Sequence, residues 1–141
     1  MALWINDGLH EAAADIHSFL LVGQSNMAGR GDLTKENAIT APDCFMLRMG
    51  RWQEMSEPIN VDRAVVEGAV PRSGANLAAS FAAQLQKETG AKIGLIPCAD
   101  GGTRISQSQP GQVLFVHAVF QPRLAQRTSA LTPFLWHQGE S

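Results

Sequence analysis

Three short apolar runs each break off at a tip of glycine and small polar residues, and this alternation constrains the fold more than any other feature of the chain. "SFLLVG" at 18–23 leads into "QSNMAG", "AKIGLIPCA" at 91–99 into "DGGT", and "LTPFLW" at 131–136 into "HQGES". A continuous apolar run bounded by turn-formers marks a strand covered on both faces, as in parallel sheets. Helical patterns lie between the runs. In "SGANLAASFAAQLQKETG" at 73–90, Leu77, Phe81 and Leu85 recur every four residues beside Ala78 and Ala82. Ser73 is placed to cap that helix and Gly90 to close it in a left-handed conformation. Residues 111–129 carry Val113, Val116, Phe120 and Leu124 at helical spacing, and Pro122 is expected to kink or restart the helix. "CFMLRM" at 44–49 reads as a further strand, while 24–43 and 50–73 read as loops. The order strand, long loop, strand, helix, strand, helix, strand predicts a three-layer α/β fold with a mostly parallel sheet, in one domain over 1–141.

Charge and hydropathy exclude several function classes. With 11 basic against 13 acidic residues and a net charge of -2, the chain has no basic stripe for a phosphate backbone, so no nucleic-acid partner is expected. Its apolar runs are far too short to span a bilayer, so no membrane partner is expected either. Asp7, Glu11 and Asp15 near the N-terminus do not resemble the basic start and apolar centre of a leader. The expected location is cytoplasmic, or secreted if a leader has been removed. Cys44 and Cys98 form no C-x-x-C pair and no zinc spacing, and read as two buried free thiols. No metal cluster is visible, and no cofactor is implied.

In a parallel sheet, ligands sit at the carboxyl ends of the strands, where the three polar tips converge. Acyl transfer is the chemistry such tips can perform, because it needs a hydroxyl nucleophile, a base and donors aimed at an oxyanion. Ser25 would attack, with its own backbone N–H as one donor. Gly101 would offer a second N–H and Gln138 a third through its amide. Each residue also has a plainer role: Ser25 as the N-cap of a short helix, Gly101 and Gly102 as a turn, Gln138 as a satisfied polar residue. His137 would face away from Gln138 by strand alternation. Glu140 would be a solvent-exposed charge, or would orient a polar neighbour. The G-x-S-x-G elbow of the α/β-hydrolases is absent around Ser25.

"LLVGQSNMAGRG", "IGLIPCADGGTRI" and "FLWHQGES", in this order, closely resemble the motif blocks of the SGNH-type hydrolases in the sialate O-acetylesterase and acetyl xylan esterase group, carbohydrate esterase family 6. The resemblance covers nearly all of 17–141. It implies a flavodoxin-like fold and metal-independent removal of acetyl groups from carbohydrates. It places Ser25 on the nucleophile, Gly101 (or Gly102 beside it) on the oxyanion glycine, and Gln138 where other SGNH hydrolases carry asparagine. Gln24, Asn26, Gly102, Thr103 and Glu140, in the same blocks, are the expected substrate-binding residues.

The family pattern closes with an Asp-x-x-His after the last strand, which supplies the base and the residue that orients it. Here no such block follows the third motif. Of the four histidines, His17 sits at the wrong end of the first strand, His117 lies mid-helix and His137 points away. Asp7-Gly8-Leu9-His10 is itself an Asp-x-x-His, placed ahead of the first strand. Residues 1–16 are therefore either that block displaced by circular permutation, with Asp7 and His10 catalytic, or an unrelated extension. In the second case the C-terminal part of the fold is lacking, and an open sheet edge calls for a homo-oligomer or a complementing chain.

Two functions are expected from this reading: a serine esterase acting on an acetylated carbohydrate, or a catalytically silent domain that at most binds one. The loops at 30–43 and 50–73 carry no readable code for the glycan, although Trp52 is placed either to stack on a sugar ring or to pack.

Overall fold

The computed structural model describes residues 15–61 and 73–139. Asp7, His10 and Glu140 lie outside the described residues. Five strands form one sheet, β1 (Ile16–Gly23), β2 (Cys44–Arg48), β3 (Arg51–Glu54), β4 (Lys92–Pro97) and β5 (Ser129–His137), in the spatial order β3-β2-β4-β1-β5. β2, β4, β1 and β5 run parallel, and β3 pairs antiparallel with β2. Helix α1 is a single turn, Ser25–Ala28; α2 spans Leu77–Thr89 and α3 spans Val113–Ala125. The predicted α/β fold with a mostly parallel sheet is the fold observed.

Strand alternation sends successive side chains to opposite faces, and a helix covers each face. On one face Phe19, Leu21, Cys44, Met46, Ile93 and Leu95 pack with Ala78, Ala79 and Ala82 of α2. On the other, Leu47 and Ile96 pack with Ala125 of α3, flanked by Leu20 and Trp52. The central strand β4 is buried through nearly its whole length, as its unbroken apolar run requires.

Four local expectations are corrected. α2 is capped by Asn76, whose side chain accepts from the Ala78 N–H, and not by Ser73; Gly90 closes it with φ 69° as expected. The α2 residues that meet the sheet are the alanines, while Leu77 is exposed. Small side chains let the helix axis approach the sheet, so the larger Phe81 and Leu85 pack from the flank. α3 passes through Pro122 as one helix, giving up the N–H that proline lacks. Finally, residues read as loop after Arg48 form a hairpin, turning through Met49 (φ 50°) and Gly50 (φ 72°) into β3. Two consecutive positive φ values are the backbone of a tight two-residue hairpin turn.

Pro133 sits inside β5 without breaking it. The register between β1 and β5 shifts between Ser18 and Leu20, so that Ser18 faces Leu131 and Leu20 faces Phe134. The extra residue on β5 takes up the proline, which cannot donate to a ladder.

Candidate functional site

The site is built where the carboxyl ends of β1, β4 and β5 meet. At the end of β1, Gly23 has φ 143°, and a Cβ there would collide with the carbonyl of His137. This close approach lets the Gln24 N–H donate to the His137 carbonyl at 3.1 Å. The chain then turns at once into α1, whose single turn is closed by Ala28 N–H to Gln24 O (2.8 Å) and Gly29 N–H to Ser25 O (2.9 Å). Met27 and Ala28 are buried and anchor the turn in the core.

Ser25 is the first residue of that turn and is half-buried. The N-cap is Gln24, and no side-chain capping bond forms, so the plainer role of Ser25 as a helix cap does not hold. Gln24 is buried, whereas Asn26 is exposed. Asn76 joins the turn to α2: its Nδ2 donates to the Met27 carbonyl at 3.0 Å while its Oδ1 caps the helix.

The loop after β4 comes alongside. Cys98 N–H donates to Leu21 O (2.8 Å) and Asp100 N–H to Gly23 O (3.1 Å), which carries the β1–β4 ladder past the end of the strands. Gly101 and Thr103 are buried, and the Thr103 hydroxyl donates to the Asp100 carbonyl at 2.7 Å. Gly102 is exposed with φ 77°, a conformation that favours glycine. From the end of β5, the Gln138 amide donates to the Thr103 carbonyl at 3.3 Å. An amide nitrogen has two hydrogens, so this bond leaves one of them to donate elsewhere.

The structure thus brings together Gln24, Ser25, Gly101, Gly102, Thr103 and Gln138. His137 joins them through its carbonyl, with its side chain exposed. His17 pairs with Ile93 and Ala130 at the start of β1, away from this end. Trp52 packs, and does not stack in the site: its Nε1 donates to Thr128 Oγ1 at 3.1 Å, and its ring covers Gly94. Both cysteines are free thiols; Cys44 is buried and Cys98 half-buried. Burial pushes both thiols up, with Asp43 adding to the effect at Cys44. Among the described residues no group of three or more His, Cys, Asp or Glu is placed to hold a metal ion.

The family description "Carbohydrate esterase, sialic acid-specific acetylesterase" matches residues 15–141. The chain belongs to this carbohydrate esterase family. Within the family, a probable carbohydrate esterase of Arabidopsis thaliana is 36% identical over 140 residues, covering 87% of this chain and 53% of that protein. The X-ray structure of that Arabidopsis protein superposes with a TM-score of 0.74 at 31% identity, over 89% of this chain and 58% of the other. The chain therefore spans about half the length of the curated esterase it matches.

Two residues of this esterase-family site escape sequence reasoning. Asn60 is fully buried; its Nδ2 donates to Ala99 O (2.8 Å) and its Oδ1 accepts from the Ala99 N–H (3.2 Å). The Ser73 hydroxyl in turn donates to the Asn60 carbonyl. Arg30 donates through Nη1 to the Gly29 carbonyl at 2.7 Å and reaches across to Gly101. An asparagine in a proline-bearing loop and an arginine after a glycine look like surface residues, and only the fold shows what they touch.

Proposed function

We propose that this chain carries the nucleophile and the oxyanion donors of a serine esterase that removes O-acetyl groups from carbohydrates. The hydrogen bonding of the three strand tips to one another around Ser25 carries the reading: Gln24 to His137, Asp100 to Gly23, and Gln138 to Thr103. In the reaction, Ser25 Oγ attacks the acetyl carbonyl carbon while a histidine takes the hydroxyl proton. The carbonyl oxygen becomes the oxyanion, held by the N–H groups of Ser25 and Gly101 and by the Gln138 amide. Collapse breaks the ester bond; the histidine passes its proton to the departing sugar oxygen, and an acetyl-serine remains. Water, deprotonated by the same histidine, then releases acetate and restores Ser25. In this reading Gln24, Asn26, Gly102 and Thr103 are the substrate-binding residues. The base in this reading is His10 oriented by Asp7, or a histidine from another segment or chain. Preorganised donors matter here because removing one from an oxyanion site typically slows turnover by about 10²–10³-fold.

A second reading, a domain that binds acetylated sugars without turning them over, rests on the base: among the described residues His17 lies at the far end of β1 and the His137 side chain is exposed. Acetate release from acetylated xylo-oligosaccharides and from O-acetylated sialic acid, measured beside Ser25→Ala, separates the two. Release abolished by the substitution supports the esterase. Saturable sugar binding with no release from either protein supports the silent domain.

A further inference from the structure

Gly101 is hemmed in by a side chain from the nucleophile turn. A Cβ on Gly101 would run into Nη2 of Arg30 and stand 2.9 Å from Cζ and 3.5 Å from Nη1. The guanidinium therefore lies against the face of Gly101 that any other residue would fill. Its Nη1 is bound at the same time to the carbonyl of Gly29, the residue that closes α1 and that also accepts the Gly74 N–H at 3.1 Å. Arg30 thus spans the two pieces of chain whose relative position the proposed chemistry depends on, the turn bearing Ser25 and the loop bearing Gly101.

We infer that Arg30 is a positioning residue of the oxyanion site, setting the Gly101 peptide relative to Ser25. The inference rests on the esterase reading for its catalytic half. A planar guanidinium suits this role, because Nη1 bonds the Gly29 carbonyl while Nη2 of the same fork points at Gly101, and a lysine ammonium has no such fork. Thr103, Gln138 and Asn60 hold the same loop through main-chain bonds at other points, so losing Arg30 shifts the loop without unfolding it.

The test is a double-mutant cycle on the full chain with Arg30→Ala, Gly101→Ala and the pair, plus Arg30→Lys, reading thermal midpoint and rate of fluorophosphonate labelling of Ser25 for each. Gly101→Ala alone is expected to lower the midpoint by a few degrees at most, because the far end of the Arg30 side chain can swing aside. In the Arg30→Ala background the same change should lower it by less than about half as much, because the collision is gone. Arg30→Ala alone should keep the midpoint within a few degrees yet slow labelling by about 10-fold or more, and Arg30→Lys should not restore the rate. Additive midpoints overturn the contact between Arg30 and Gly101. An unchanged labelling rate in Arg30→Ala overturns the positioning role. A wild-type chain that takes no label overturns the esterase reading and the catalytic half with it, while the midpoints still decide the structural half.

Discussion

The two faces of the sheet are built differently. Against α2 the side chains close into a continuous core in which Phe19 and Phe81 meet edge to face at 5.1 Å and 77°, and Leu95 has no exposure at all. Against α3, Val116, Phe120 and Trp136 are exposed and Phe134 is 62% exposed. A cavity of about 210 Å³ lies open there, lined by Leu20, Val22, Leu114, Phe115 and Trp136 among others. α3 carries apolar side chains around most of its circumference, interrupted by His117, Gln121 and Arg123, yet only Leu114, Pro122 and Ala125 are buried. The difference shows where the candidate site draws its rigidity. Met27 and Ala28 of the turn bearing Ser25 belong to the α2-side core, and Asn76 ties that turn to α2 itself. The open face lies beneath the ends of β1 and β5 and adds little to holding Ser25.

Truncating one large apolar side chain on each face probes this difference most severely. Leu95→Ala should cost about 2–5 kcal/mol in denaturant unfolding, since the closed face cannot collapse around the void. Phe134→Ala, though it removes more atoms, should cost less than about 1 kcal/mol. Equal losses would mean that the α3 face is packed as tightly as the other. Next in size, Asn60→Ala should cost about 1–3 kcal/mol by leaving the buried N–H and C=O of Ala99 unpaired. It should slow Ser25 labelling as well, because Ala99 lies two residues before Gly101; unfolding midpoint and labelling rate check the two halves. Smaller again, Phe120→Ser with Phe134→Ser should change stability by less than about 1 kcal/mol while reducing the fluorescence of an added naphthalene sulfonate dye, which reports exposed apolar surface.

The least of these effects concerns pH. Burial raises the Cys98 thiol from its ordinary 9.0, so the folded chain holds that proton more tightly than the unfolded one. Stability from this source is complete below about pH 9 and falls as pH rises above it. A Cys98→Ala chain should show a shallower loss of unfolding midpoint between about pH 9 and 10.5, and an identical slope would contradict the assignment.

The central strands are legible in the sequence because an unbroken apolar run has few other uses, and Gly90 because a left-handed helix end asks for glycine. β3 is hidden: Arg51, Gln53 and Glu54 give an exposed edge strand no apolar alternation, and a methionine at the first turn position of Met49-Gly50 disguises a hairpin turn. The cap of α2 is easily misplaced because Ser73 and Asn76 are both capping types. Only the loop path, which sends Ser73 to the Asn60 carbonyl, separates them. In the candidate site the strand tips can be read, because polar and glycine residues replace apolar ones there. The supports cannot, since Asn60 holds Ala99 across 39 residues of chain and no local pattern encodes such a contact.

Whether the strand tips single out one hydroxyl for acylation is decided by the mass of the intact protein after incubation with a fluorophosphonate, beside Ser25→Ala. One adduct is expected on the wild-type chain and none on the variant. No adduct on the wild-type chain, or an adduct that persists without Ser25, would contradict the assignment of Ser25 as the nucleophile.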